Sequence, residues 1–311
     1  MRITNSLMSK NFMRNLNNNM KSVYKYQEQL STMEQVSRPS DDPLKVSKVL
    51  DLNNEIKQNE EYKSTINDSI DFTNAQDSAL ANATNSMQRI YTLTQQAANG
   101  TYNEQDRDAI RTEVENEIDT LLDSLNTSFG GRYIFAGNHT TSKPFEKTLD
   151  AEGNFTGIQY NGTTEENGPG MSGNTTKEIA RGVNVELQTD GRALMNSQGE
   201  EDNLGAFFNK LLTALDENNT DDLGGELLER VDAEMNNIVN LRTGIGATNN
   251  RLTAAKDRNE SEYLNLKTTY SNTQDIDLAE TYMQYSMEMV AYEASLQMGN
   301  KILQNSLLNY M

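Results

Sequence analysis

Residues 275–311, DIDLAETYMQYSMEMVAYEASLQMGNKILQNSLLNYM, decide how the fold is read. At alternating steps of four and three this stretch gives Leu278, Tyr282, Tyr285, Met289, Tyr292, Leu296, Gly299, Leu303, Ser306 and Tyr310, a sustained heptad register. A second line, Ile276, Ala279, Met283, Met287, Val290, Ala294, Met298 and Ile302, runs beside the first. The apolar face is wider than a two-stranded coiled coil needs, so more than one neighbour must cover it.

Charge points to the first of those neighbours. Residues 272–311 carry one basic and five acidic side chains, net −4, whereas residues 1–40 carry six basic and two acidic, net +4. Opposite signs favour pairing the two ends and disfavour pairing like with like. From Ile3 to Glu34, Met13, Leu16, Met20, Val23 and Leu30 keep a heptad beat, interrupted by Asn17, Asn18 and Asn19, poor formers of helix interiors. This segment is expected to order only when packed, as one half of an antiparallel pair with 275–311.

Ser37–Pro43, SRPSDDP, is the first sharp punctuation. Two prolines four apart cannot sit inside a regular helix, whereas an Asp before Pro makes a good N-cap followed by a tolerated first position. Pro39, Ser40, Asp41, Asp42 and Pro43 therefore read as a helix cap and hinge. The Asp pair could also be half of a cation site, but no further liganding oxygens are spaced nearby.

A long helical run follows to about Ala98, with Val49, Leu52, Ile56, Ile66, Ile70, Leu80, Met87 and Tyr91 in one register. Asn59, Lys63, Thr73, Asp77 and Thr84 fill the same seam. Unbroken, the run would extend ~80 Å at 1.5 Å per residue. Asn99-Gly100 is expected to end it as a left-handed cap. Glu104 to Phe129 forms another helix, with Ile110, Val114, Ile118, Leu121 and Leu125 on one face and Gly130-Gly131 as its stop. Asn203 to Leu215 is a short, strongly apolar helix. Glu226 to Tyr270 mirrors the first long run, with Leu228, Val231, Met235, Ile238, Ile245, Leu252, Tyr263, Leu266 and Tyr270 diluted by Arg242, Asn249, Lys256 and Asn259. The two long helices and Glu104–Phe129 are expected to bundle.

Between the helices, from Arg132 to Leu194, the texture changes. Tyr133–Phe135, Phe155–Tyr160 and Val183, Val185, Leu187 are short alternating runs, and Asn161-Gly162 and Asp190-Gly191 are hairpin-type dipeptides. Thr163 to Thr176 reads as an exposed glycine-rich loop. The fold class is mainly α: a long helical coiled-coil and bundle rod with a small inserted β domain.

Composition excludes several functions. The 311 residues include 46 acidic and 27 basic side chains, net −19, with 35% hydrophobic content. Nucleic-acid binding needs clustered Lys and Arg, and no such groove is encoded. There is no cysteine, hence no disulfide framework, thiolate nucleophile or Cys-based metal site. The single histidine, His139, lies in a polar loop, and no nucleophile, base and orienter can be assembled. No catalytic residue, cofactor or metal site is expected. Neither a secretory h-region nor an 18-residue apolar run occurs, so membrane insertion is not expected either. The Asn-X-Ser/Thr triplets read as a by-product of Asn and Thr abundance.

Several motifs together resemble the flagellin superfamily over nearly the whole length. They are Met1-Arg2-Ile3-Thr4, Pro39-Ser40-Asp41-Asp42-Pro43, Ser86-Met87-Gln88-Arg89-Ile90-Tyr91 with Ala97-Ala98-Asn99-Gly100, Gly131-Arg132-Tyr133-Ile134-Phe135-Ala136-Gly137 with Pro144-Phe145, and Asn305-Ser306-Leu307-Leu308-Asn309-Tyr310-Met311. The last two are similar to the hook–filament junction branch, with the filament protein flagellin as the alternative. The resemblance implies a flagellin-like fold in five segments: 1–40 and 272–311 as an inner coiled-coil domain, 41–131 and 203–271 as helical rod, and 132–202 as the β insert. It implies a structural adaptor, extracellular at the junction, exported by the flagellar type III apparatus without a cleaved signal. Its implied partners are the hook-side junction protein FlgK, flagellin, the export chaperone FlgN and copies of itself in a ring. A surface-exposed binding role for the insert is a further alternative. The assembly interface would use Leu278, Tyr282, Tyr285, Met289, Tyr292, Leu296, Leu303, Leu307 and Tyr310 with Met13, Leu16, Met20, Val23 and Leu30.

Overall fold

The computed structural model describes residues 2–100, 102–151, 153–162, 174–197, 199 and 202–308, with side chains described between 7 and 300. In chain order the elements are α1 (Arg2–Thr32), α2 (Pro43–Ala97), α3 (Glu104–Leu125), β1 (Ser128–Phe129), β2 (Arg132–Tyr133), β3 (Phe145–Leu149), β4 (Phe155–Tyr160), β5 (Thr175–Ala180), β6 (Val183–Leu187), α4 (Arg192–Met195), α5 (Leu204–Asp216), α6 (Thr220–Gly224), α7 (Glu226–Gln274) and α8 (Leu278–Leu308). They group into two compact units, residues 1–60 with 261–311, and residues 61–260.

In the 61–260 unit, α2 and α7 run antiparallel, and the polar residues of the two seams meet each other. Arg242 Nε donates to Asp77 Oδ1 at 2.6 Å, Asn249 Nδ2 donates to the Thr73 hydroxyl at 3.0 Å, and Lys63 Nζ lies 3.2 Å from Glu260. These pairs are half-exposed, so each adds little stability, but together they fit one register only. Apolar packing supplies the adhesion. Leu80, Met87, Ile90 and Leu93 of α2 share one core with Ile110, Val114, Ile118, Leu121 and Leu125 of α3, with Phe207, Phe208, Leu211 and Leu212 of α5, and with Val231, Ile238 and Ile245 of α7. The apolar α5 is thus a central member of the bundle, packed against both α3 and β4. Gly205 makes the close approach to β4 possible: a Cβ there would sit 2.2 Å from the Ile158 backbone nitrogen.

Among the described residues the β part consists of three separate two-stranded antiparallel sheets, β1–β2, β3–β4 and β5–β6. A lone hairpin is marginal in water, and each is held by helices. Phe145 of β3 and Phe155 and Ile158 of β4 enter the main core, whereas Ile179, Val185 and Leu187 of β5–β6 form a second cluster with Ile66, Leu252 and Ala255.

Several local readings need correction. Gly130-Gly131 does not stop a helix. Both residues have positive φ, 59° and 77°, and form the two-residue turn between β1 and β2, while α3 ends at Leu125. Asn161-Gly162 and Asp190-Gly191 close no hairpin. The chain turns instead between β3 and β4, where Gly153 has φ 90°, and at Arg181-Gly182, where Gly182 has φ 72°. Residues 163–173 lie outside the described residues, and Thr175 and Thr176 already belong to β5 rather than to a loop. Gly100 is not left-handed; instead the buried Arg107 guanidinium of α3 donates to the last α2 carbonyl, Ala97, at 3.2 Å, placing a cation at the negative end of that helix.

One buried carboxylate ties α7 to the segment preceding α5. Glu234 accepts from the Ser197 hydroxyl at 2.5 Å and lies 2.9 Å from Arg230 Nη2, and Arg230 also engages Asp202 at 3.2 Å. Burial raises the Glu234 pKa above the ordinary carboxylate value, only partly opposed by Ser197 and Arg230. Folded Glu234 therefore holds its proton more tightly than unfolded Glu234. Its contribution to stability is fully present below the unfolded value and is lost as pH rises through the raised folded value. Glu234→Gln should remove this dependence, so the variant's Tm should rise relative to the unmodified chain as pH climbs from the ordinary carboxylate range towards neutrality. A Tm difference that stays constant over that range would refute the assignment.

Candidate assembly interface

In the unit of residues 1–60 and 261–311, α1 and α8 pack along each other as an antiparallel pair. Asn19 Nδ2 donates to the Ser295 hydroxyl at 3.0 Å, and at the other end Glu34 forms an antiparallel bridge with Asp275. The covered side of α1 is the heptad Phe12, Leu16, Asn19, Val23, Tyr26, Leu30, all half-buried except the more deeply buried Val23. The covered side of α8 is Thr281, Tyr285, Glu288, Tyr292, Ser295, Gly299, also spaced by fours and threes. Gly299 is a hole for an aromatic knob, since a Cβ there would sit 2.4 Å from the tip of the Phe12 ring.

This contact turns α8 away from the orientation its largest apolar residues suggest. Of the expected face, Tyr285, Met289 and Tyr292 are half-buried, but Leu278, Tyr282 and Leu296 are exposed, Tyr282 by 63%. On α1, Leu16, Met20, Val23 and Leu30 face inward or sit at the margin, whereas Met13 is 51% exposed. The side chains of Leu303 and Leu307, and residue Tyr310, lie outside the described residues. Phe12, Asn19, Thr281 and Ser295 are the contacts that apolar periodicity misses. Small and polar side chains let the helices approach closely and satisfy each other, which a search for large apolar residues does not register. The signal available was Phe12, one step of four before Leu16.

Asp42 and Pro43 open α2. Asp42 accepts from the backbone N–H groups of Leu44 and Lys45, both at 3.1 Å, and Pro43 takes the first helical position of α2. Asp277 caps α8 in the same way, accepting from Ala279 at 2.9 Å and Glu280 at 3.1 Å. Pro39, Ser40 and Asp41 are exposed between the helices. Ahead of them Met33 holds a left-handed φ of 62°, and its carbonyl accepts from Ile276 at 3.3 Å while Gln35 N–H donates to Gln274 O at 2.6 Å. These bonds clamp the exit of α1 onto the break between α7 and α8.

Reactive chemistry is sparse. Among the described residues no group of three or more His, Asp or Glu is placed to hold a metal ion, and no helix is long and apolar enough to cross a membrane. His139 lies exposed in the turn after β2. What the termini offer is a surface: Met283, Met287, Val290 and Met298 stand exposed on the side of α8 away from α1.

Comparison with known proteins gives this surface a context. Residues 3–140 match the bacterial flagellin N-terminal helical region, and residues 228–311 match the bacterial flagellin C-terminal helical region. The chain is 27% identical to flagellar hook-associated protein 3 of Escherichia coli (strain K12) over 309 residues, covering 95% of each chain. It is 24% identical to flagellin of Bacillus subtilis (strain 168) over 308 residues, covering 95% of this chain and 94% of the other. Its fold is similar to that of the flagellar junction protein FlgL from Legionella pneumophila, with a TM-score of 0.57 at 16% identity over 74% of this chain and 100% of that one.

Three substitutions test the geometry. Gly299→Leu should overpack the Phe12 contact at a cost of about 1–3 kcal/mol, lowering amide protection in α1 and α8 about 5- to 150-fold while leaving α3 unchanged. Adding Phe12→Ala should restore much of it; no change in either variant would contradict the knob-and-hole contact. Asp42→Ala should cost about 1 kcal/mol and speed exchange in the first turn of α2, measured against the unsubstituted chain.

Proposed function

The chain belongs to the bacterial flagellin family, and on that premise we propose that it is a structural adaptor at the hook–filament junction, joining the hook-side protein FlgK to flagellin. The alignment with hook-associated protein 3 over 95% of both chains carries this reading. A terminal helix pair with an uncovered apolar side suits a subunit that completes its packing against neighbours, here copies of itself in a ring and the partners above and below. Leu278, Tyr282 and Leu296, exposed in the single chain, are the residues such neighbours would cover.

In this reading the chain performs no chemistry of its own. Residues 1–40 and 272–311 make the inner coiled-coil domain, and the flagellar type III apparatus carries the chain outside the cell. Before assembly the bare face of α8 is an aggregation hazard, which gives the chaperone FlgN a physical reason to bind there. The second reading is flagellin itself, favoured by the alignment with Bacillus subtilis flagellin over nearly the full length of both chains.

Electron microscopy of cells lacking the chain should show hooks without filaments and flagellin released into the medium. The full chain should restore filaments, and a chain lacking Ser271–Met311 should not. Filaments that persist without the chain would overturn the adaptor reading, and purified protein that builds long filaments unaided would favour flagellin.

A further inference from the structure

Of the 14 methionines, those whose side chains are described are divided in a way the fold does not require. In the 61–260 unit Met87 and Met195 are buried and Met235 is partly buried against the same core. Among the described residues the exposed methionines, Met8, Met13, Met33, Met283, Met287 and Met298, all lie in the other unit. Three of these line up. At about 100° per residue, Met283, Met287 and Met298 fall with Val290 and Ala294 in a sector roughly 80° wide, pointing away from the seam that meets α1. Leu or Ile in the same places would supply equal apolar area without a reactive atom. Thioether sulfur is the one atom of this face that common oxidants attack, and its susceptibility follows exposure.

We propose that the methionine stripe of α8 is an oxidation site that switches off the apolar assembly face. In the step, a sulfur lone pair attacks one oxygen of hydrogen peroxide, the O–O bond breaks, and the second oxygen leaves as water after proton transfer. Sulfur is oxidised by two electrons to the sulfoxide and the peroxide is reduced. Each event replaces a flexible apolar group with a strongly polar, chiral one in the middle of the stripe, so a neighbouring apolar surface can no longer cover it without burying an unpaired S–O group. In the folded single chain the stripe is open to the reagent, whereas Met87 and Met195 are not. The consequence for assembly rests on the adaptor reading; the chemistry and the loss of apolar surface do not.

The test treats the purified full-length chain with hydrogen peroxide and follows it by peptide mass spectrometry, binding of the apolar dye ANS, and binding to isolated hooks carrying the hook-side junction protein. Sulfoxide should form at Met283, Met287 and Met298 about tenfold faster than at Met87 and Met195. ANS fluorescence and hook binding should fall in step with it. The variant Met283→Leu/Met287→Leu/Met298→Leu should keep both after the same treatment, although Met8, Met13 and Met33 are still oxidised. Equal reactivity of stripe and buried methionines, or losses as large in the triple variant as in the unsubstituted chain, would overturn the proposal. Failure of the untreated chain to bind hooks would count against the adaptor reading, and the sulfoxide map and ANS response would still decide the oxidation site.

Discussion

Helix α8 meets α1 through the side on which Thr281, Ser295 and Gly299 stand in line with Tyr285 and Tyr292, and much of the terminal unit follows from that choice. Phe12 needs the hole at Gly299, Asn19 needs the hydroxyl of Ser295, and Thr281 is buried near the start of the pair. A contact built on large apolar side chains would have been greasier and less specific, because such side chains repack across several registers. Satisfying an Asn and filling a glycine hole fixes one register. The physical result is that apolar residues remain on the opposite side of α8, where none of the described residues covers them. A surface of this kind costs little in a protein that is soon covered by neighbours and a great deal in one that is not.

The 61–260 unit solves a different problem. Its two long helices carry too many polar seam residues to adhere through a coiled coil alone, and the polar residues pair across the seam without adding much stability. Adhesion comes from where α3 and α5 join them. Phe207, Phe208, Leu211 and Leu212 bring a dense apolar face to helices that are otherwise dilute, and the same core takes in Phe145, Phe155 and Ile158 from β3 and β4. Arg107 then caps α2 from the neighbouring helix. Helix ends, hairpins and bundle therefore depend on one another through shared buried surface.

Membership in the flagellin family and the terminal geometry bear on each other. The helix pair is packed on one face of α8 and leaves Met283, Met287, Val290 and Met298 exposed on a second face. Methionine suits the second face, because its unbranched chain adapts to differently shaped partners. The same sulfur makes that face chemically vulnerable while it is exposed.

Much of this was legible in the residues. The heptad lines, Asp42-Pro43 as a cap and the opposite charges of the two ends determine the helices, several of their limits and the antiparallel pairing of the termini, because caps, periodicity and net charge act over one or two turns or through sign alone. The sequence also excluded thiol chemistry and a basic nucleic-acid groove by composition. Tertiary structure decided the rest. Which side of α8 is covered depends on Phe12 reaching Gly299 across 287 positions of sequence. The Gly130-Gly131 turn became a hairpin rather than a helix stop because its flanking residues found each other, and α5 became central because its two faces meet β4 and α3. Local chemistry fixes where a helix can begin and which residues are greasy; only packing chooses which greasy residues are buried, since close approach is won by small and polar neighbours that carry no hydrophobic signal of their own.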